Sequence, residues 1–298
     1  MAAIEVSDLT KTYGDVRALQ GVTIRVGTGE IYGLLGRNGA GKSTLVKILL
    51  SIVRKTGGSA RLLDRDVPHA ASRRQVGYLP EDHRFPEYHT GVSALDFYGA
   101  LSEMPRADRR RRIPELLERM GLADARDRKI RGYSKGMKQR LGLAQAILHD
   151  PDVILLDEPT DGVDVVGRMQ IRDLLLELKS RGKTIFLNSH LLSEVERLCD
   201  RVGILEGGKL VREGTVAELT KTQNLYAIKT EGPVDAALEA LRKLAPDVRR
   251  TAEGVELSLP DPKNLDRAID LLRSAGVGVR GVTEKRFSLE EVFREAIQ

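Results

Sequence analysis

Apolar and polar residues alternate from the start of the chain: Ile4, Val6 and Leu9, then Val22, Ile24 and Val26, with Gly and Asp marking the turns. A period of two is that of half-buried strands, so residues 1–30 are expected to be β structure. The pattern then tightens to a short apolar run, Glu30–Leu35, which predicts a buried strand. A glycine-rich loop follows it, and Ser43–Val53 reads as a helix. Residues 92–149 keep a helical period, with apolar positions such as Leu116, Leu117 and Met120. Pro151–Leu156 predicts a second buried strand, Ile171–Leu178 an amphipathic helix, Lys183–Leu187 a third buried strand and Leu191–Leu198 another helix. Strands alternating with helices predict an α/β fold with a mostly parallel sheet covered on both faces. A long helical insert interrupts the alternation between its early and late strands.

After Gly214 the pattern changes. Asn224–Lys229, Val255–Leu259 and Val277–Phe287 read as strands, and Pro233–Lys243 and Asn264–Ser274 as helices. A last helix begins at Ser288, where Ser288-Leu-Glu-Glu291 has the spacing of a capping box. A small α+β unit of ferredoxin-like type is expected over 221–298, separate from a larger domain over 1–220.

The 298 residues leave room for two such domains. The balance of 41% hydrophobic and 31% charged residues is that of a folded chain rather than a disordered one. The single cysteine, Cys199, excludes an internal disulfide and a multi-cysteine zinc site, and its place on an apolar helix face predicts a core residue. No apolar stretch approaches the roughly 18 residues of a membrane span, so a membrane role would come through a partner. The opening MAAIEVSDLTKTYG lacks the basic start and apolar core of a secretory signal. Net charge is +5 but uneven: residues 105–140 carry thirteen Lys or Arg against five Asp or Glu, whereas 221–298 are neutral. Such a stretch suits nucleic acid, anionic lipid or simply a solvated helix face. No aromatic residues interleave with its arginines for base stacking, so no nucleic acid is expected.

Gly36-Arg37-Asn38-Gly39-Ala40-Gly41-Lys42-Ser43 matches G-x-x-x-x-G-K-[ST] between a predicted strand and a predicted helix. The glycines let backbone N–H groups curl round phosphate oxygens, and the helix start adds unpaired N–H groups and a positive dipole end. Lys42 reaches β- and γ-phosphates, and Ser43 offers its hydroxyl to Mg²⁺. Farther on, the strand Val153–Leu156 ends in Asp157 and Glu158. Acids leaving the carboxyl edge of a buried strand stand beside a phosphate loop. Asp157 can hold Mg²⁺, and Glu158 can orient or deprotonate an attacking water.

With these motifs in order, the chain resembles the nucleotide-binding subunit of an ABC transporter, a P-loop NTPase, over residues 3–220. Tyr13 of Lys-Thr-Tyr-Gly stands where that family stacks an aromatic ring on adenine. Gly36–Thr44 is its phosphate loop, Gly77-Tyr-Leu-Pro-Glu81 its Q-loop and Tyr133-Ser-Lys-Gly-Met137 its signature. Asp161-Gly-Val-Asp164 looks like the D-loop, and Asn188-Ser-His190 the switch. The signature departs from Leu-Ser-Gly-Gly-Gln at three of five places, keeping Ser134 and Gly136. Glu81 replaces the usual Gln, which keeps a Mg²⁺ ligand but adds negative charge near a phosphate.

The resemblance implies ATP and Mg²⁺ as cofactors, with metal ligands Ser43, Glu81 and Asp157. It implies ATP contacts from Tyr13, Gly36, Arg37, Asn38, Gly39, Ala40, Gly41, Lys42, Ser43, Thr44, Ser134, Gly136 and Asp164. Glu158, His190 and Lys42 would be catalytic: Glu158 acts on the water, His190 steadies the γ-phosphate and Lys42 offsets its charge. It further implies a sandwich of two ATP molecules between two copies of the chain, because the signature of one copy faces the phosphate loop of the other. Asp164 would link the two sites. The helical subdomain would span about 82–149, and Phe85, Tyr88, Phe97 and Tyr98 are expected to be exposed in a groove for a separate transmembrane permease. Leu-Pro-Glu, Ser-Lys-Gly-Met and the closing Phe287–Phe293 resemble an exporter-type subfamily. Such a subunit is cytoplasmic, on the inner face of the plasma membrane. The other reading is a soluble ABC ATPase acting on ribosomes or nucleic acid; those usually carry two ATPase modules or a long coiled coil, and this chain has neither.

Overall fold

Two long strands open the chain as their alternation requires. In the computed structural model β1 (Ala2–Tyr13) and β2 (Val16–Gly27) pair antiparallel, with Ile4 opposite Val26, Val6 opposite Ile24 and Leu9 opposite Val22. Pairing like with like puts these six apolar side chains in one buried core. On the far side of β1 lies β4 (Gly57–Leu62), then the short β5 (Arg65–Asp66), completing a four-stranded antiparallel sheet. All residues except 70, 222, 223, 233, 286 and 298 are described, and the chain divides into two units that part between Val216 and Ala217.

The second sheet of the first unit positions the chemistry. Its strands are β3 (Ile31–Gly36), β6 (Val76–Leu79), β7 (Val153–Asp157), β8 (Thr184–Asn188), β9 (Arg201–Glu206) and β10 (Lys209–Thr215). They lie in the order β10-β9-β3-β8-β7-β6, parallel except for β10, which returns from β9 as a hairpin. Every residue of β3, β7 and β8 is buried, which is why they read as continuous apolar runs. Parallel strands deliver their carboxyl ends to one edge. There β3 leads into the glycine loop, β7 ends in Asp157-Glu158, and β8 leads into Asn188-Ser189-His190.

Helix α1 (Lys42–Leu49) stops short of the expected Val53, because Ser51 turns left-handed (φ 60°) and the N–H groups of Ile52 and Val53 fold back onto the Lys47 carbonyl. The insert consists of α2 (Gly91–Leu101), α3 (Arg106–Arg119) and α4 (Lys135–Ile147). Thr90 and Ser93 cap α2 reciprocally. In α3, Ile113, Leu116 and Leu117 are buried while Arg106, Arg110 and Arg111 face water, so its charge excess lies on a solvated face. After β7, α5 (Val165–Ser180) begins six residues earlier than its apolar pattern suggests, because the Asp164 carboxylate caps it. Then come α6 (Leu192–Leu198) and the single turn α7 (Val216–Leu219). Cys199, just past α6, is buried as expected, and burial pushes its thiol far up.

The C-terminal unit contains β11 (Leu225–Glu231), α8 (Asp235–Leu244), β12 (Asp247–Thr251), β13 (Gly254–Ser258), α9 (Leu265–Ser274), β14 (Gly278–Glu284) and α10 (Leu289–Ala296). Its sheet runs β12-β13-β11-β14, antiparallel throughout. That β-α-β-β-α-β order is the ferredoxin-like arrangement. Tyr226, Ile228, Leu241, Val255, Leu257 and Leu272 fill its core. Before α10, the Ser288 N–H donates to Glu291 Oε2 at 2.8 Å and the Glu291 N–H to Ser288 Oγ at 3.3 Å, a capping box that holds the Glu291 carboxyl below its usual range. The expected helix start at Pro233, and Arg286 within the expected last strand, lie outside the described residues.

Candidate functional site

The loop between β3 and α1 is shaped by its glycines. Gly39 (φ 83°) and Gly41 (φ 110°) occupy left-handed backbone, and a Cβ on Gly41 would stand 2.5 Å from the Ala18 carbonyl oxygen. Arg37, Asn38 and Gly39 are exposed at the tip, Ala40 is buried, and Ser43 and Thr44 are half-buried in the first turn of α1. That turn has neither a side-chain cap nor an acidic residue. Its unpaired N–H groups fit an anion. Lys42 Nζ folds over the loop, donating to the carbonyls of Gly36 (2.7 Å) and Arg37 (3.2 Å).

Ser43 Oγ donates to Asp157 Oδ2 at 3.2 Å, and Asn188 Nδ2 donates to Asp157 Oδ1 at 3.4 Å. Burial pushes the Asp157 carboxyl above its ordinary range; these two hydrogen bonds oppose the shift, and the charges of Glu81 and Glu158 reinforce it. Burial, helped by Asp157 and Glu81, also pushes the Tyr78 hydroxyl up to about 12. Glu81, exposed at the surface, is therefore electrostatically part of this site. Among the described residues no group of three or more His, Cys, Asp and Glu could hold a metal ion. One hydroxyl and two carboxylates suit Mg²⁺, provided that phosphate oxygens and water complete the shell.

The raised Asp157 carboxyl has a consequence for stability. Because the folded chain holds that proton more tightly than the unfolded chain, Asp157 favours the fold below its ordinary pKa of 3.8, and this contribution is lost as pH rises through the raised value. Asp157→Asn, which keeps the shape, keeps one oxygen to accept from Asn188 Nδ2 and can donate its amide to Ser43 Oγ, is expected to raise the melting temperature of the nucleotide-free protein at pH 8. The gain should shrink on acidification. Melting scans across that range check it.

Glu158 is held on all sides. Its N–H donates to the Asn188 carbonyl (2.9 Å), and its carbonyl accepts from Gln139 Nε2 (2.8 Å). Its Oε2 lies 2.8 Å from His190 Nδ1 and 3.4 Å from Ser189 Oγ. The Glu158 side chain is nearly buried while that of His190 is 62% exposed, so the acid is backed by protein and the imidazole faces outward.

The signature residues stand apart from the phosphate loop. Ser134 caps α4, its Oγ accepting from the Met137 N–H at 3.2 Å. A Cβ on Gly136 would lie 2.9 Å from the Gly162 carbonyl, so the start of α4 lies against the loop between Asp161 and Asp164. Lys135 pairs with Asp161 at 2.6 Å, which lowers the Asp161 carboxyl. Tyr133, in place of the usual Leu, is buried with its hydroxyl donating to the Ala125 carbonyl at 2.8 Å. Asp164 accepts from the Gly167 N–H at 2.8 Å, so in the single chain it is a helix cap. Among the described residues no hydrogen bond or ion pair joins 134–136 to 36–44. Tyr13 is 44% exposed, with Lys11 Nζ 4.5 Å from its ring centroid.

One expectation is corrected. Of the four aromatics expected to be exposed, Tyr88 and Phe97 are, but Phe85 and Tyr98 are half-buried, packed edge to face at 5.8 Å. Sequence reasoning also missed the individual parts of Gln139, Ser189 and Lys135. For Gln139 a signal existed: it stands four residues before buried Leu143, and a polar residue on a core face needs a partner.

Residues 19–161 match the family model described as ABC transporter. The chain is 41% identical to an uncharacterized ABC transporter ATP-binding protein of Nostoc sp., all4389, over 100% of this chain and 90% of that protein. It is 39% identical to the Nod factor export ATP-binding protein I of Paraburkholderia xenovorans, over 84% of this chain and 83% of that one. Among solved structures it is similar to the dimeric structure of MJ0796, a bacterial ABC transporter cassette, with a TM-score of 0.67 at 25% identity over 72% of this chain and 98% of that one.

Proposed function

The chain belongs to the ABC transporter ATP-binding proteins, and from that membership we propose that it drives export through a separate membrane permease by closing and reopening a two-copy ATP sandwich. It binds and hydrolyses ATP. Each nucleotide is clasped by residues 36–44 of one copy and by Ser134 and Gly136 of the other. The single observation that carries this reading is that the phosphate-binding loop and the signature are each fully formed yet unconnected within one chain. One copy thus offers two half-sites.

In each composite site the uncapped start of α1, with Lys42, binds the β- and γ-phosphates. Mg²⁺ would be held by Ser43 and Asp157, with Glu81 at its edge, and would neutralise phosphate charge. Glu158 takes the proton of the attacking water, and its neighbours Ser189 and His190 fix the carboxylate. His190 keeps that contact and steadies the γ-phosphate from the outward-facing part of its ring. Catalysis is then mostly positioning and charge stabilisation. Loss of the bridging γ-phosphate removes what holds the two copies together, and they part. Tyr13 stacks on the adenine, and Asp164 meets the other copy once it exchanges its capping bond.

Export is supported by similarity to a relative named for Nod factor export. Among the described residues no helix is long and apolar enough to cross a membrane, which is compatible with a path supplied by a separate permease. Fractionation tests this: the protein should be recovered with membranes when its permease partner is co-expressed. ATPase activity stimulated by RNA, steeply salt-dependent and indifferent to the permease, would contradict it.

A further inference from the structure

We propose that Gln139 is the positioning residue for the base Glu158, and that through it each α4 serves two active sites at once. The inference rests on the reading of Glu158 given above and extends it to a residue outside the phosphate loop, the carboxylate pair and the switch.

Glu158 has φ 51°, in the left-handed region that side-chain-bearing residues seldom occupy. It also precedes Pro159, whose ring pushes the preceding residue towards extended backbone. Two local preferences therefore oppose the conformation observed, and something must hold it. On the amide side the Asn188 carbonyl accepts the Glu158 N–H at 2.9 Å. On the carbonyl side the Asp161 N–H donates across a local turn at 3.2 Å, and the shorter bond comes from Gln139, 3% exposed, whose Nε2 reaches the same oxygen at 2.8 Å. Pro159 has no N–H, so the peptide after Glu158 can be held only through its carbonyl oxygen.

Remove the Gln139 amide and the carbonyl keeps only the longer bond from the Asp161 N–H, so the hold against relaxation towards extended backbone is weakened. Relaxation swings the carboxylate away from His190 Nδ1 and Ser189 Oγ, now 2.8 and 3.4 Å from Oε2. The water would then meet a misdirected base. Gln139 also lies on the helix that begins at Ser134, five residues away, or about 7.5 Å along the axis. A shift of α4 when its first turn engages the other copy's γ-phosphate is thus delivered to this chain's own base.

The test is Gln139→Met, which keeps length and fills the same volume but cannot donate. Under single-turnover conditions, hydrolysis should slow by about 10- to 100-fold, the scale of a misplaced reacting group. ATP stoichiometry per chain should stay the same, and ATP-bound dimers should live longer by the same factor as the rate falls. A merely structural lesion would lower dimer yield and rate together. That result, or a rate within about twofold of the unaltered protein, would overturn the inference. If Gln139→Met does not fold, Gln139→Glu carries the same test, since an ionised carboxylate of the same shape also has no proton to give. Glu158→Gln is measured alongside. If it turns over normally, the assignment of the base fails; if it is silent while Gln139→Met is normal, only the present inference falls.

Discussion

Glu158→Gln is expected to lower ATP turnover by about 10²- to 10⁴-fold, the usual contribution of a positioned general base, and to leave ATP-bound dimers accumulating. The amide preserves size and can still occupy the left-handed backbone between Asn188 and Gln139. It cannot take a proton. Replacing a carboxylate also removes negative charge from the place where γ-phosphate must sit, so the closed state should become more stable as its chemistry stops. Size-exclusion chromatography with ATP and Mg²⁺, read against phosphate release, checks both halves of the result. Turnover at the normal rate would remove Glu158 from the role of base.

Ser134→Arg should produce the opposite phenotype: ATP binding intact, dimer closure lost, turnover reduced to background. Ser134 is exposed and makes no hydrogen bond to the chain's own phosphate loop, so a bulky cation there leaves that loop undisturbed. At the proposed seam with a second copy the same side chain would stand where the other copy's γ-phosphate is to be clasped. The lost cap itself costs about 1 kcal/mol, too little to unfold a domain of this size. Light scattering with ATP, compared with nucleotide affinity by equilibrium binding, separates the two effects. Closure in this variant would contradict the shared site.

Much of the candidate site's layout was legible because its residues sit where local pattern is strongest. β3, β7 and β8 are buried on both sides, so they print as apolar runs, and the residues that leave their carboxyl ends gather at one edge of the sheet. The glycine loop is legible for a different reason: Gly41 cannot carry a Cβ beside the Ala18 carbonyl, so spacing alone identifies it. What stayed hidden was set by tertiary contact. β12, Asp-Val-Arg-Arg-Thr, holds one apolar residue in five and becomes a strand only by pairing with β13. β6 is four residues long and contains Gly77, which is required because a Cβ there would collide with the Ala146 carbonyl of α4. β9 and β10 are broken up by Gly203, Gly214 and scattered charge, and their pairing is what defines them.

The site shows the same division. Asp157 and Glu158 follow from a strand ending in two acids. The left-handed turn at Glu158 does not, because glutamate before proline prefers extended backbone. That conformation depends on Asn188 and Gln139, which are 30 and 19 residues away in the chain. Lys135 likewise looks like a defect in the signature, yet its ammonium pairs with Asp161 and its stem lies across Gly162, joining two segments that a second copy would meet together.

The most direct test of a site shared between two copies is the ATPase rate per chain, measured at saturating ATP and Mg²⁺ as the protein is diluted. The composite arrangement predicts that this rate falls in proportion to concentration once dimers become scarce, and recovers on reconcentration. A rate per chain that stays constant under dilution, in a protein that remains monomeric throughout, would mean that one copy holds a whole active centre, and the arrangement argued here would be wrong.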